Sequence, residues 1–128
     1  VRDSYGFYTR WFSNQIKALK KAHPHASFIV IGVSDMSRKT EDYYETYPNV
    51  PLIRDAQKAA ALNNGCAFWD MYEAMGGENS MPSWVFAEPP LANKDFTHMN
   101  PSGARIIARM FYNALMYELN HYLKQKTN

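Results

Sequence analysis

Seven consecutive residues, Ser27-Phe28-Ile29-Val30-Ile31-Gly32-Val33, form a nearly unbroken apolar run rich in β-branched side chains. A strand with one wet face alternates apolar and polar residues, because successive side chains point to opposite sides. A run that stays apolar at every position instead predicts a strand buried on both faces, as in a parallel sheet covered by helices. It ends in the polar turn Ser34-Asp35-Met36-Ser37.

The flanking sequence supplies helices. From Ser4 to Ala22, Tyr8, Trp11, Phe12, Ile16 and Leu19 recur at helical spacing and form one apolar face, and His23-Pro24 stops it. A second helix covers about Leu52 to Leu62 and is closed by Asn63-Asn64-Gly65. A short strand follows at Cys66 to Trp69. Asp70 then reads as the entry cap of a helical turn from Met71 to Met75, although Asp70 and Glu73 are also a candidate acid/base pair. The stretch from Arg38 to Pro51, with Tyr43, Tyr44, Tyr47 and two prolines, reads as loop. So does the long segment from Glu78 to Met99, which holds Pro82, Pro89 and Pro90. Loops of that length in compact domains are usually functional or disordered. Asn100 is a good N-cap and Pro101 a good first residue for the last helix, whose apolar face runs through Ile107, Met110, Phe111, Leu115, Leu119 and Leu123.

Strands alternating with helices predict an α/β layered fold with parallel strands, in one domain spanning residues 1–128. Two strands make a poor sheet, and each wants a neighbour on both sides, so more sheet is expected from elsewhere. The chain opens at Val1 in a charged segment, as a processed product or a piece of a longer protein would.

Composition narrows the function classes. An apolar share of 46% and an aromatic share of 15% belong to a folded globular chain. The net charge is +2, and the lysines are scattered: Lys17, Lys20 and Lys21 on one helix, Lys124 and Lys126 in the tail. Nucleic-acid binding would need a clustered basic stripe. No apolar run approaches the roughly 20 residues of a membrane span. The lone Cys66 lies in an apolar run and reads as a small core residue rather than a nucleophile. One cysteine fits a reducing compartment without excluding the periplasm or the outside. His23, His25 and His121 lack ligand spacing, so no metal is expected, and no Gly-rich phosphate loop suggests a nucleotide cofactor.

The chemistry concentrates in Asp95-Phe96-Thr97-His98-Met99-Asn100-Pro101-Ser102-Gly103. A carboxylate three residues before an imidazole can reach the Nδ1–H and leave Nε2 free as a general base. The positive end of the following helix dipole disfavours imidazolium, and Asp95 would offset that. Gly103 in the first turn would let the helix approach neighbouring backbone closely. Asp-x-x-His by itself also fits a surface pair or a helix-entry turn. Trp84 in the preceding loop is a candidate pocket wall. Ser34 and Asp35, at a strand's C-terminal end where α/β folds place ligands, are candidate substrate contacts. Ser34 is not set in a nucleophile elbow, since Met36 stands where a glycine is needed.

Asp95-x-x-His98-x-x-x-x-Gly103 followed by a long helix resembles the last motif of the SGNH/GDSL hydrolases. Ile31-Gly32-Val33-Ser34-Asp35-Met36 resembles the strand before that family's variable region, and Trp69 to Gly77 its penultimate strand and exit. The resemblance implies a flavodoxin-like three-layer α/β/α sandwich. It also implies ester hydrolysis through a Ser-His-Asp mechanism on a small acyl or acetyl ester, with no cofactor. In that reading Asp95 orients and His98 acts as general base and acid. The family's Gly-Asp-Ser nucleophile block and its Asn-containing oxyanion block do not occur in this sequence and would precede Val1. The chain alone is therefore expected to be inactive and to need the N-terminal part of the same domain. The rival expectation is a non-catalytic α/β interaction module in which Asp95 and His98 only fasten the last helix.

Overall fold

The computed structural model describes residues 4–127. Helix α1 (Gly6–Ala22) leads to strand β1 (Ile29–Ile31), the short strands β2 (Ser37–Lys39) and β3 (Tyr44–Thr46), and helix α2 (Asn49–Asn63). Strand β4 (Ala67–Trp69) follows, then the one-turn helices α3 (Met71–Met75) and α4 (Met81–Val85), and finally the long helix α5 (Pro101–Lys126). None of the described helices is long and apolar enough to cross a membrane.

β1 and β4 pair in parallel, with Ile29, Val30 and Ile31 opposite Ala67, Phe68 and Trp69. The ladder extends through Gly32, whose N–H donates to Trp69 O at 2.9 Å. The expected α/β class with parallel strands is thus present. The apolar run is only partly strand, and its burial is lower than its composition predicts: Ile29 is 43% exposed and Ile31 49%. The physical reason is that β1 has a single neighbour, β4, among the described residues.

One core joins α1 and α2 to the sheet: Ile16, Ala60, Ala61 and Cys66 are buried, with Phe12, Phe28, Val30 and Phe68 packed against them. Cys66 is the core residue its surroundings predicted. The apolar face of α1 is only partly covered, since Trp11 and Leu19 remain more than half exposed. A second core lies under the segment that carries Asp95 and His98 and is built from Met75, Met81, Trp84, Val85, Ala92 and Phe96. On α5 only Gly103 is fully buried, and its chief aromatic contact is Phe111 set edge-on to Trp69 at 5.3 Å.

Two segments read as loop are ordered. Residues 38–51 contain most of the antiparallel hairpin β2–β3, which begins at Ser37, and the first turn of α2, which starts at Asn49. The hairpin strands are three residues long and polar, so no alternation marks them. Their pairing is carried by the cross-strand ion pair of Arg38 with Glu45 at 2.7 Å and by the turn bond from Thr40 N to Tyr43 O at 2.8 Å. In the second segment α4 forms with Pro82 in its first turn, a position that loses no helical hydrogen bond.

Candidate active site

The segment that carries Asp95 and His98 is a closed loop standing on the start of α5. Its two legs meet at an antiparallel bridge between Ala92 and Met99, and Asn93 N donates to His98 O at 2.8 Å. Asn100 then caps α5: its Oδ1 accepts from Ser102 N and Gly103 N, both at 3.0 Å. Its Nδ2 donates to Pro90 O at 2.6 Å, tying the helix start to the other leg.

Within this loop, Asp95 Oδ2 lies 2.8 Å from His98 Nδ1, while Oδ1 accepts the backbone N–H groups of Thr97 and His98, both at 3.0 Å. The bond to the His98 side chain, followed by these two backbone bonds, lowers the Asp95 pKa to about 2. Near neutrality the carboxylate is therefore ionised and only accepts, so Nδ1 of His98 must carry the proton. In the neutral imidazole this leaves the lone pair on Nε2, which has no hydrogen-bond partner among the described residues. The side chains are 49% exposed at Asp95 and 73% at His98, so the pair stands at the surface.

The other candidates sit elsewhere. Asp35 is fully buried, and its carboxylate accepts from Thr46 Oγ1 at 2.7 Å, Met81 N at 2.8 Å and Ser80 Oγ at 3.5 Å. It fastens the end of β1 to β3 and to α4, and all three of these bonds are to the protein's own groups. Trp84 is 6% exposed, packed in the core, and its indole N–H donates to Met75 O at 2.9 Å. A long loop suggested a pocket wall there, but α4 turns that side chain inward. Ser34 is half-buried and has no hydrogen bond to Asp95 or His98. Asp70 is the N-cap of α3, accepting from Glu73 N at 3.1 Å. Both acids bind Arg54 Nη1 at 3.1 Å, which makes them an ion cluster joining α2 to α3. Among the described residues no three His, Cys, Asp or Glu side chains are grouped to hold a metal.

Sequence reasoning missed the aromatic group behind the loop. Phe96 stacks on Tyr44 with ring centres 4.0 Å apart and meets Phe86 edge-on at 5.6 Å. Its position between Asp95 and His98 was the available signal, since an aromatic residue amid polar ones needs a place to be buried.

No family model matches the chain, and no curated protein sequence matches it. A solved structure of a peptidoglycan O-acetylesterase superposes on it with a TM-score of 0.81 over 89% of this chain, at 21% identity. The matched region is 32% of that protein, so the chain spans about a third of its length. At this identity the likeness is one of fold, and it holds over nearly the whole of this chain.

Proposed function

We propose that this chain supplies the Asp–His half of a Ser-His-Asp ester hydrolase and forms the C-terminal part of its catalytic domain. The observation that carries the reading is the 2.8 Å approach of the Asp95 carboxylate to His98 Nδ1, which leaves Nε2 unpartnered. In the proposed reaction a serine hydroxyl attacks the ester carbonyl while His98 Nε2 takes its proton. His98 then returns that proton to the leaving alcohol, and water repeats the sequence to release the acid. Asp95 holds the imidazole and offsets its charge when protonated. Backbone donors from outside this chain would hold the oxyanion. The substrate class is a small acyl ester, an acetyl group on a carbohydrate being the version that the likeness to a peptidoglycan O-acetylesterase favours.

The missing groups would come from an N-terminal segment of the same domain. Two features support this. The outer edge of β1 has no strand beside it among the described residues. Apolar hollows also flank β1, one of about 260 Å³ against Phe12 and Leu19, the other of about 330 Å³ against Trp69 and Phe111. Further strands there would complete the three-layer sandwich. The rival reading, in which the pair only fastens the last helix, is less well supported, because a fastening histidine would be packed and His98 is 73% exposed.

The test is to read the gene upstream of Val1 for a Gly-Asp-Ser block and to assay the longer protein with p-nitrophenyl acetate beside its His98→Ala variant. Loss of hydrolysis in the variant is the expected result. Equal rates would overturn the reading.

A further inference from the structure

Asp95 and His98 lack the packing that normally fixes a pair of side chains. Both are largely exposed, and an exposed pair contributes little to stability. The residue between them is the opposite case. Phe96 is 9% exposed and belongs to the core. One face of its ring lies on Tyr44 with 16° between the planes, its carbonyl accepts from Ser37 N at 3.0 Å, and its N–H donates to Asn93 O at 3.0 Å. It also holds a left-handed backbone with φ of 56°, a conformation that few non-glycine residues adopt.

These observations have one geometric consequence. The left-handed residue reverses the chain between Asp95 and Thr97, so that the carboxylate folds back over the N–H groups of Thr97 and His98 while the ring between them points inward. Strain of this kind persists only where the surroundings over-determine it. Here the surroundings are the Tyr44 ring and the Ser37 N–H, one from each strand of the β2–β3 hairpin.

We propose that Phe96 is a positioning residue: its stacked ring and its Ser37-bound carbonyl hold the left-handed turn that brings the Asp95 carboxylate onto the His98 imidazole. The importance of that pair rests on the function proposed above; the mechanical coupling does not. Through these two contacts the hairpin thereby sets the tautomer of His98.

The experiment is long-range ¹H–¹⁵N NMR of the histidine rings in this chain at neutral pH. The neutral imidazole of His98 in the parent should be protonated at Nδ1, distinct from the exposed His23 and His25. Three variants follow: Phe96→Gly, which keeps the left-handed turn accessible but deletes the ring; Phe96→Leu, which keeps apolar volume without the stack; and Tyr44→Leu, which removes the partner and leaves the loop intact. In variants whose amide spectra remain dispersed, the Nε2-protonated form of His98 should become the major one, and Phe96→Tyr should restore the parent pattern. Folded variants in which His98 stays protonated at Nδ1 would overturn the proposal. So would unfolding of all three, because Phe96 would then be holding the fold rather than the pair. This readout needs no turnover, so a failure of the esterase assay leaves it standing.

Discussion

The carbonyl oxygen of Leu91 occupies the space where a β-carbon on Gly103 would stand. The same oxygen accepts the Asn100 N–H at 3.1 Å, so the first turn of α5 is pressed directly onto the loop that carries Asp95 and His98. The close approach that a glycine at this position implied is present. Gly103→Ala should lower stability by about 2–3 kcal/mol, because backbone rather than a movable side chain blocks the added methyl. Urea denaturation followed by circular dichroism measures this; a loss below about 0.5 kcal/mol would mean that the helix start slides freely.

Asp95→Asn tests the pair more sharply than removal of either residue. An amide can donate as well as accept, so it no longer requires the proton on Nδ1 and lets the imidazole take the wrong tautomer. In a longer, serine-bearing protein kcat should fall by about 10³–10⁴-fold, with KM little changed, as expected where an orienting carboxylate is lost. Steady-state hydrolysis of p-nitrophenyl acetate gives both constants.

The acid limb of the pH dependence follows from the same bonds. Folding lowers the Asp95 pKa from 3.8 to about 2, so the native state binds fewer protons than the unfolded chain as pH falls through that range. The contribution is fully present above about pH 4 and is lost as pH falls through about 2. A ¹³C titration of the Asp95 carboxyl should show its midpoint near 2; a midpoint near the ordinary carboxylate value would mean that the bonds to His98 and Thr97 are absent in solution.

Asp35→Ala should destabilise the chain by about 3 kcal/mol, because it strips the buried Met81 N–H and Thr46 hydroxyl of their acceptor at once. Asp35→Asn, which keeps an oxygen in place, should cost less. Chemical denaturation of the two variants separates a fastening role from a substrate contact, which would leave stability nearly unchanged.

Trp84→Phe should lose about 1–2 kcal/mol through the broken bond to Met75 O and the smaller ring. KM in the proposed longer, serine-bearing protein should stay the same. A raised KM at unchanged stability would return Trp84 to the substrate pocket.

Some elements were legible because their signals are local. Helix α1 stops at His23-Pro24 as read, and α5 begins on its Asn100 cap with Pro101 inside it, since caps and prolines act within one turn of themselves. Asp70 capped α3 for the same reason. The hairpin β2–β3 was not legible, because its strands are short and polar and are held by a partner seven residues away. Sequence context offered Trp84 as a pocket wall and Asp35 as a substrate contact or turn residue; α4 and the hairpin, neither of which was read, bury both of them.

The sequence by itself determined the chemical inventory and the local frame: a buried-type strand, a capped final helix, and a carboxylate and an imidazole three residues apart with a glycine below them. Tertiary structure decided whether those two side chains meet. It placed Phe96 on Tyr44 and its carbonyl under Ser37, contacts that span 52 to 59 residues of chain and leave no trace in local spacing. The physical reason is range: caps and turns depend on neighbours within a few residues, but the orientation of an exposed pair is fixed by whatever the residue between them is packed against.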